Sequence, residues 1–214
     1  MKRRDLILEV SLKLFNEEGE ANLSAVDIAN ELDISPGNLY YHFKGKEEIV
    51  ESLYEQFEGG IMTLLQDTKE ADDGLEEHWL RLYVLLECIY RYRFFFRNIT
   101  NLLQKYNGIE SRFRRLFEKQ YQSIQSMLRD LLDEGLLGSG DEEAIRVDQL
   151  ADNIMLIYTH WFEFQDIRKL KLSQHEFIQS AIRQIMTLLA PYMGRQQMNF
   201  MVECDLLYQR EKQV

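Results

Sequence analysis

The chain has 214 residues, 45% of them hydrophobic, with a net charge of −11, two prolines and two cysteines. That length suits one helical domain or a small domain fused to a larger one, and so few breakers point to long helices over many short strands. The negative charge excludes a protein that coats nucleic acid indiscriminately, and Cys88 and Cys204 are too few and too isolated for a disulfide framework or a zinc cluster.

No apolar run has the length to cross a bilayer, and Met1–Asp5 lacks the apolar core of a signal peptide. The expectation is a cytoplasmic protein with no membrane partner.

From Arg3 to Glu18, Leu6, Ile7, Val10, Leu14 and Phe15 recur at three- and four-residue spacing, one face of an amphipathic helix ended by Gly19. Lys2-Arg3-Arg4 at its tip reads equally as a solvated helix start or as a phosphate contact. Ser24 is a good N-cap, with Asp27 three positions on. The helix it opens is expected to bury Val26, Ile28, Ala29 and Leu32. Asp33 occupies a turn that needs positive φ, where Asp is acceptable but poorer than Gly, and Ile34 is expected to plug the core beneath it. Ser35 caps the next helix and Pro36 takes its first position, where a missing N–H costs nothing.

In that second helix Leu39 and Phe43 face inward, leaving Gly37, Asn38, Tyr40, Tyr41 and His42 to look outward or sideways. A solvated face normally carries Glu, Lys and Arg. This one suits a helix in the DNA major groove: Gly37 permits close approach, Asn38 can donate and accept at base edges, and the tyrosines can meet phosphates and thymine methyls. The alternative for one of the two tyrosines is packing against the next helix. Lys44-Gly45-Lys46 then forms a turn, and Lys46 stands at the N-terminus of a long helix through Ile61, where an anion is favoured. Residues 1–50 carry six Lys and Arg against ten Asp and Glu, so binding is expected to rely on local contacts and to weaken readily with salt.

The Ile28-Ala29 pair, Ile34-Ser35, Gly37 and the run Leu39-Tyr40-Tyr41-His42-Phe43 followed by Lys46 resemble the DNA-binding domain of the TetR family over residues 3 to about 55. The resemblance implies that Ser24 and Tyr40 contact phosphates, that Pro36, Gly37, Asn38 and Tyr41 face bases, and that His42 and Lys46 clamp the backbone, with Ser35 and Lys44 also at the interface. Two positions depart from the family pattern: Asp33 where Gly is usual, and Ser24 where Thr is frequent.

Beyond Ile61 the resemblance is architectural. A polar break at Gln66–Gly74 precedes a helix bearing Trp79, Leu82, Tyr83, Leu86, Ile89 and Tyr90, which is expected to continue into Arg91–Phe96. After Ile99, Leu102 and Leu103 comes a break at Asn107-Gly108, then a long helix over Ile109–Glu134, ended by Gly135–Gly140. An acidic start at Asp141-Glu142-Glu143 opens a helix with Val147, Leu150, Ile154, Tyr158 and Phe162. Ser173 and Glu176 form a capping box for another, which Pro191 stops, and a final amphipathic stretch runs from Gly194 to Tyr208. The last two helices are apolar on more than one side and must bury both.

The fold class expected is therefore all-α. A three-helix helix-turn-helix domain at 1–46, with its motif at about 24–43, joins through a long helix to a helical effector-binding and dimerisation domain at 47–214. The resemblance implies a homodimer through helices at about 142–167 and 173–190, double-stranded DNA with a palindromic operator as partner, and an unknown small-molecule effector that releases a repressor. Candidates to line the effector cavity are Trp79, Tyr83, Tyr90, Phe94, Phe117, Tyr121, Tyr158, His160 and Trp161, each of which also reads as ordinary core. Arg91 and Arg93 diverge on a helix, so at most one faces inward. No Ser-His-Asp elbow, phosphate-cradling loop or metal-spaced ligand set occurs, and His42, His78, His160 and His175 are scattered. The reading is of no enzyme, no cofactor and no metal. A helical ligand-binding or protein-interaction module without operator binding is the rival, and the intact Ser35–Phe43 surface counts against it.

Overall fold

The computed structural model describes residues 3–66, 75–138 and 147–193; of Gln66 and residues 75–79 only the backbone is described. Every regular element among them is helical: α1 Arg3–Glu18, α2 Ala25–Glu31, α3 Pro36–His42, α4 Lys46–Gln66, α5 Leu75–Arg91, α6 Phe94–Arg97, α7 Ile99–Lys105, α8 Asn107–Asp133, α9 Val147–Ile167 and α10 Gln174–Leu189. The acidic stretch Asp141–Glu143, the polar break at 67–74, Cys204 and the stretch from Gly194 to Tyr208 lie outside the described residues. No described helix is long and apolar enough to cross a membrane.

The chain forms two compact units, and they cut across a simple division at residue 46. The first combines Met1–Thr63 with Arg91–Leu116; the second combines Leu64–Tyr90 with Phe117–Val214.

In the first unit, α1 closes at Gly19, whose φ of 86° is open to glycine and unfavourable for other residues. Its inner face sets Ile7, Leu8, Leu12 and Phe15 into a core with Ile28, Ala29, Leu39, Phe43, Ile49, Leu53, Tyr54 and Phe57. Aromatic rings from Arg91–Leu116 complete that core: Phe94 lies 5.3 Å from Phe15, Phe95 meets Tyr54 edge-on at 5.7 Å, and Tyr92 and Phe96 flank Phe57 at 5.7 and 5.6 Å. On its rim the Arg112 guanidinium lies 5.1 Å over the Tyr54 ring and donates to Glu58 at 2.9 Å.

The expected continuation of α5 through Phe96 is corrected: the helix stops at Arg91 and a separate turn, α6, begins at Phe94. The cause is Asn16. Its amide nitrogen donates to the Arg91 carbonyl at 2.8 Å, and its amide oxygen accepts from the Phe94 N–H at 3.0 Å. A buried side chain thus satisfies the backbone groups that a helix break would otherwise leave unpaired. Arg97 completes the junction by donating to the Asn16 carbonyl.

The second unit is built on α9 folding back against α10. Phe162 and Phe177 stack at 3.8 Å with Tyr90 5.7 and 5.4 Å away, and Trp161 donates to the Ser180 hydroxyl at 3.0 Å. The capping box at the start of α10 is present, with the Ser173 N–H donating to Glu176 at 2.9 Å. Most apolar residues of α10 are already buried within this unit, whereas α9 leaves Leu156, Phe164 and Ile167 exposed. These fall at eight- and three-residue intervals, a single stripe along the helix.

Candidate nucleic-acid interface

Two short helices and the turn between them present the surface expected to meet DNA. At the start of α2 the Ser24 and Asp27 side chains cap each other reciprocally. The Asp27 N–H donates to the Ser24 hydroxyl at 3.3 Å, and the Ser24 N–H and hydroxyl donate to the Asp27 carboxylate at 2.7 and 2.6 Å. Those bonds hold the Asp27 carboxyl below the usual carboxylate range, the Ser24 hydroxyl first among the causes. They also commit most of the polar capacity of Ser24 to the helix start.

α2 ends as the sequence requires. The Asp33 N–H bonds the Asn30 carbonyl at 3.1 Å and the Ile34 N–H bonds that of Ala29 at 3.0 Å, with Asp33 at φ 52°. This is a Schellman ending with Asp in the left-handed position. The buried set of α2 differs from expectation. Ala25, Ile28 and Ala29 are buried, Leu32 and Ile34 are half-buried, and Val26 is 42% exposed. Because the helix begins at Ala25, positions 25, 28, 29 and 32 share the inner stripe, and Val26 is rotated about 100° away from it.

In α3 the Ser35 hydroxyl accepts from the Asn38 N–H at 3.2 Å, Pro36 takes the first turn, and Leu39 and Phe43 anchor the segment in the core. Pro36, Gly37, Asn38, Tyr40 and Tyr41 remain exposed; Tyr41 is 84% open and Tyr40 49%. Neither tyrosine is packed away against the following helix. His42 is half-buried, its ring edge-on to Tyr41 at 5.1 Å. Gly37 is informative for what does not surround it. A Cβ added there would meet nothing closer than Ser35 Oγ at 3.9 Å, so nothing among the described residues demands a glycine at that helical position.

The basic residues are placed in three ways. Lys44 is exposed beyond the end of α3, its N–H held by Glu48 at 2.8 Å. Arg4 is a staple: it donates to the His42 carbonyl and the Ser52 hydroxyl, each at 3.3 Å, and lies 4.3 Å over the Phe43 ring. Lys46 turns inward, and its ammonium reaches the carbonyls of Glu20 and Leu23 at 2.9 and 2.6 Å and the Glu20 carboxylate at 2.8 Å. Three acceptors match the three donors of an ammonium group. The anchor contrasts with the backbone clamp that the resemblance implies for this residue.

Glu20, 8% exposed, also receives Lys105 at 2.9 Å and the Tyr106 hydroxyl. Burial pushes its carboxyl up, but the bonds from Lys46, Tyr106 and Lys105 outweigh that and hold it below its ordinary value. Burial and the Glu20 bond push the Tyr106 hydroxyl up in turn. Sequence reading missed Asn16, Glu20, Lys105 and Tyr106. The one local signal was a polar Asn directly after the apolar pair Leu14-Phe15 on a helix face.

The effector candidates are divided between the two units. Phe94 belongs to the core of the first unit, against Phe15. Tyr83, Tyr90, Phe117, Tyr121, Tyr158, His160 and Trp161 belong to the second unit, and Trp79 lies on α5 with its side chain outside the described residues. Tyr158 is buried, and its hydroxyl has no hydrogen-bond partner among the described residues.

Two family models match: bacterial regulatory proteins of the tetR family over residues 7–53, and a bacterial transcriptional repressor domain of the same family over residues 56–199. Among solved structures, a TetR-family transcriptional regulator from Marinobacter aquaeolei VT8 superposes with a TM-score of 0.85 at 29% identity, covering 97% of this chain and 99% of that one. Among curated relatives, HTH-type transcriptional regulator SAB2452 of Staphylococcus aureus is 27% identical over 50% of this chain and 57% of its own length. Probable HTH-type transcriptional regulator YttP of Bacillus subtilis is 26% identical over 61% of this chain and 63% of its own. The matches thus span little more than half of these curated relatives. With both family models covering the greater part of the sequence, and the helix-turn-helix in place, the chain belongs to the TetR family of DNA-binding transcriptional regulators.

Proposed function

We propose that this regulator is a repressor that binds a palindromic operator as a homodimer and is released by a small-molecule effector. The observation that carries the operator reading is Gly37. Glycine destabilises a helix relative to alanine, by about 0.5–1 kcal/mol in its middle, and here nothing among the described residues requires it. The requirement then lies outside, where a DNA backbone or base edge approaches α3. Pro36, Gly37, Asn38 and Tyr41 face the bases, while Ser24, Ser35, Tyr40, His42 and Lys44 meet phosphates, and Lys46 holds the turn from behind.

The dimer reading rests on the exposed stripe of Leu156, Phe164 and Ile167. A second copy laid on α9, with α10 beside it, covers that stripe through an isologous contact and sets two copies of α3 roughly 34–36 Å apart in successive major grooves. The effector site is assigned to the second unit, among Tyr83, Tyr90, Phe117, Tyr121, Tyr158 and Trp161, with Trp79 on the same helix as Tyr83. The buried Tyr158 hydroxyl, without a hydrogen-bond partner among the described residues, offers a polar handle. An effector there shifts operator affinity by its differential binding to two states, typically about 1–3 kcal/mol.

The test is to select duplexes from a random pool with the full-length protein at low salt, then weigh the complex. Two protein copies on one two-fold motif are expected. Selection of no motif, or one copy per duplex, rejects the reading.

A further inference from the structure

Base identity in the major groove is read by a small chemical vocabulary. Arg or Lys takes the paired acceptors of guanine, Asp or Glu accepts from the cytosine amino group, Asn or Gln takes the adenine edge, and apolar groups pack on the thymine methyl. The outward face of α3 can be set against that vocabulary residue by residue. The helix Pro36–His42 contains no Arg, Lys, Asp or Glu, so the charged side chains that most often read guanine and cytosine are absent from it. Lys44 lies past its end, Arg3 is exposed at the start of α1, outside α3, Arg4 is engaged with His42, Ser52 and Phe43, and Lys46 is turned inward on Glu20.

What α3 does offer is one carboxamide, Asn38, exposed on its first turn, and one almost fully solvated aromatic ring, Tyr41. Val26, Tyr40 and Tyr41 are the exposed large apolar side chains of the first unit among the described residues, and all three lie between Ser24 and Phe43. The Val26 side chain and the tyrosine ring faces give the motif an exposed apolar surface suited to packing on thymine methyl groups.

We infer that this chain reads its operator half-site through A·T pairs, with Asn38 on an adenine edge and the Tyr41 ring on a thymine methyl. The inference rests on α3 being the recognition helix, as proposed above. It adds a composition to the site: contacted positions are adenine and thymine, and the selectivity lies in the major groove.

The test starts from the duplex selected by the full-length protein. Each thymine of a half-site is replaced in turn by uracil, which removes only the methyl. One replacement should lower wild-type affinity about fourfold, the value of one buried methyl-sized group, and Tyr41→Ala should bind the thymine and uracil duplexes equally. Asn38→Ala should lose its preference for adenine at one position, a change of about tenfold. Both side chains are exposed, so neither variant disturbs the core. G·C pairs at the contacted positions, indifference of the wild type to every uracil, or an adenine preference that survives Asn38→Ala would each overturn the inference while leaving the operator reading intact. Enrichment of no duplex at all overturns the operator reading itself.

Discussion

The ammonium of Lys46 lies 2.8 Å from the Glu20 carboxylate, at the start of α4 and directly behind the turn that leads into α2. With two further bonds to the carbonyls of Glu20 and Leu23, it fixes the segment that positions the Ser24 cap. The expected outcome of Lys46→Ala is weaker operator binding through loosened positioning. A lysine that neutralises a phosphate lowers the slope of log affinity against log salt by about 0.9 when removed. For Lys46→Ala that slope should stay unchanged while affinity falls, whereas Lys44→Ala should lower the affinity and the slope together. Binding isotherms at four salt concentrations distinguish the two.

Gly37 separates stability from function. Gly37→Ala should raise helix stability by up to about 0.5 kcal/mol, the low end of the glycine penalty at a first-turn position, because the added Cβ meets only Ser35 Oγ at ordinary contact distance. The same substitution should weaken operator binding about tenfold or more, roughly 1.4 kcal/mol. Denaturant unfolding and titration of the selected duplex, run on one preparation, give both numbers. Equal or tighter binding places Gly37 away from the groove.

Asp33 sits at φ 52°, a conformation that a non-glycine residue adopts at a cost of roughly 1–2 kcal/mol, less for Asp and Asn. Asp33→Gly should therefore stabilise the protein by about 0.5–1 kcal/mol. It also removes a negative charge from the motif, so operator affinity at low salt should increase, and the gain should fade as salt is raised.

The Glu20 cluster predicts a pH signature. Its carboxyl is held below the ordinary value of 4.5 in the folded chain. A depressed carboxyl contributes stability that is fully present above the unfolded value and lost as pH falls through the folded one. The stability difference between wild type and Glu20→Gln, about 1–3 kcal/mol for a buried hydrogen-bonded group, should hold constant from about pH 8 to about pH 5. It should shrink below the ordinary value of 4.5. Urea midpoints measured across that range provide the check; a difference that grows on acidification contradicts the assignment.

Much of this was legible in the residues, and the boundary of legibility has a physical origin. The Ser24–Asp27 and Ser173–Glu176 boxes, Pro36 at a first turn, Gly19 and the left-handed Asp33 are determined within three or four residues, so spacing alone reveals them. Val26 was misplaced by one position on the helical wheel, because the first helical residue sets the phase of the buried stripe. Asn16 and Glu20 were invisible for a different reason: their partners stand 26 to 86 positions away. No periodicity links Asn16 to Phe94, or Glu20 to Tyr106. The inward turn of Lys46 follows from the same cause, since the sequence shows a basic residue at a helix start and not the carboxylate behind it.

The junction made by Asn16 bears on how such a regulator can be rebuilt. An excised head ending at Thr63 would strand the Asn16 amide, take Lys105 and Tyr106 from Glu20, and strip Phe94 from the face of Phe15. Grafting this head onto a foreign body therefore requires transplanting residues 91–116 with it. The exchangeable cassette is two pieces of chain, and a chimera built from the N-terminal piece alone should fail to fold its own reading surface.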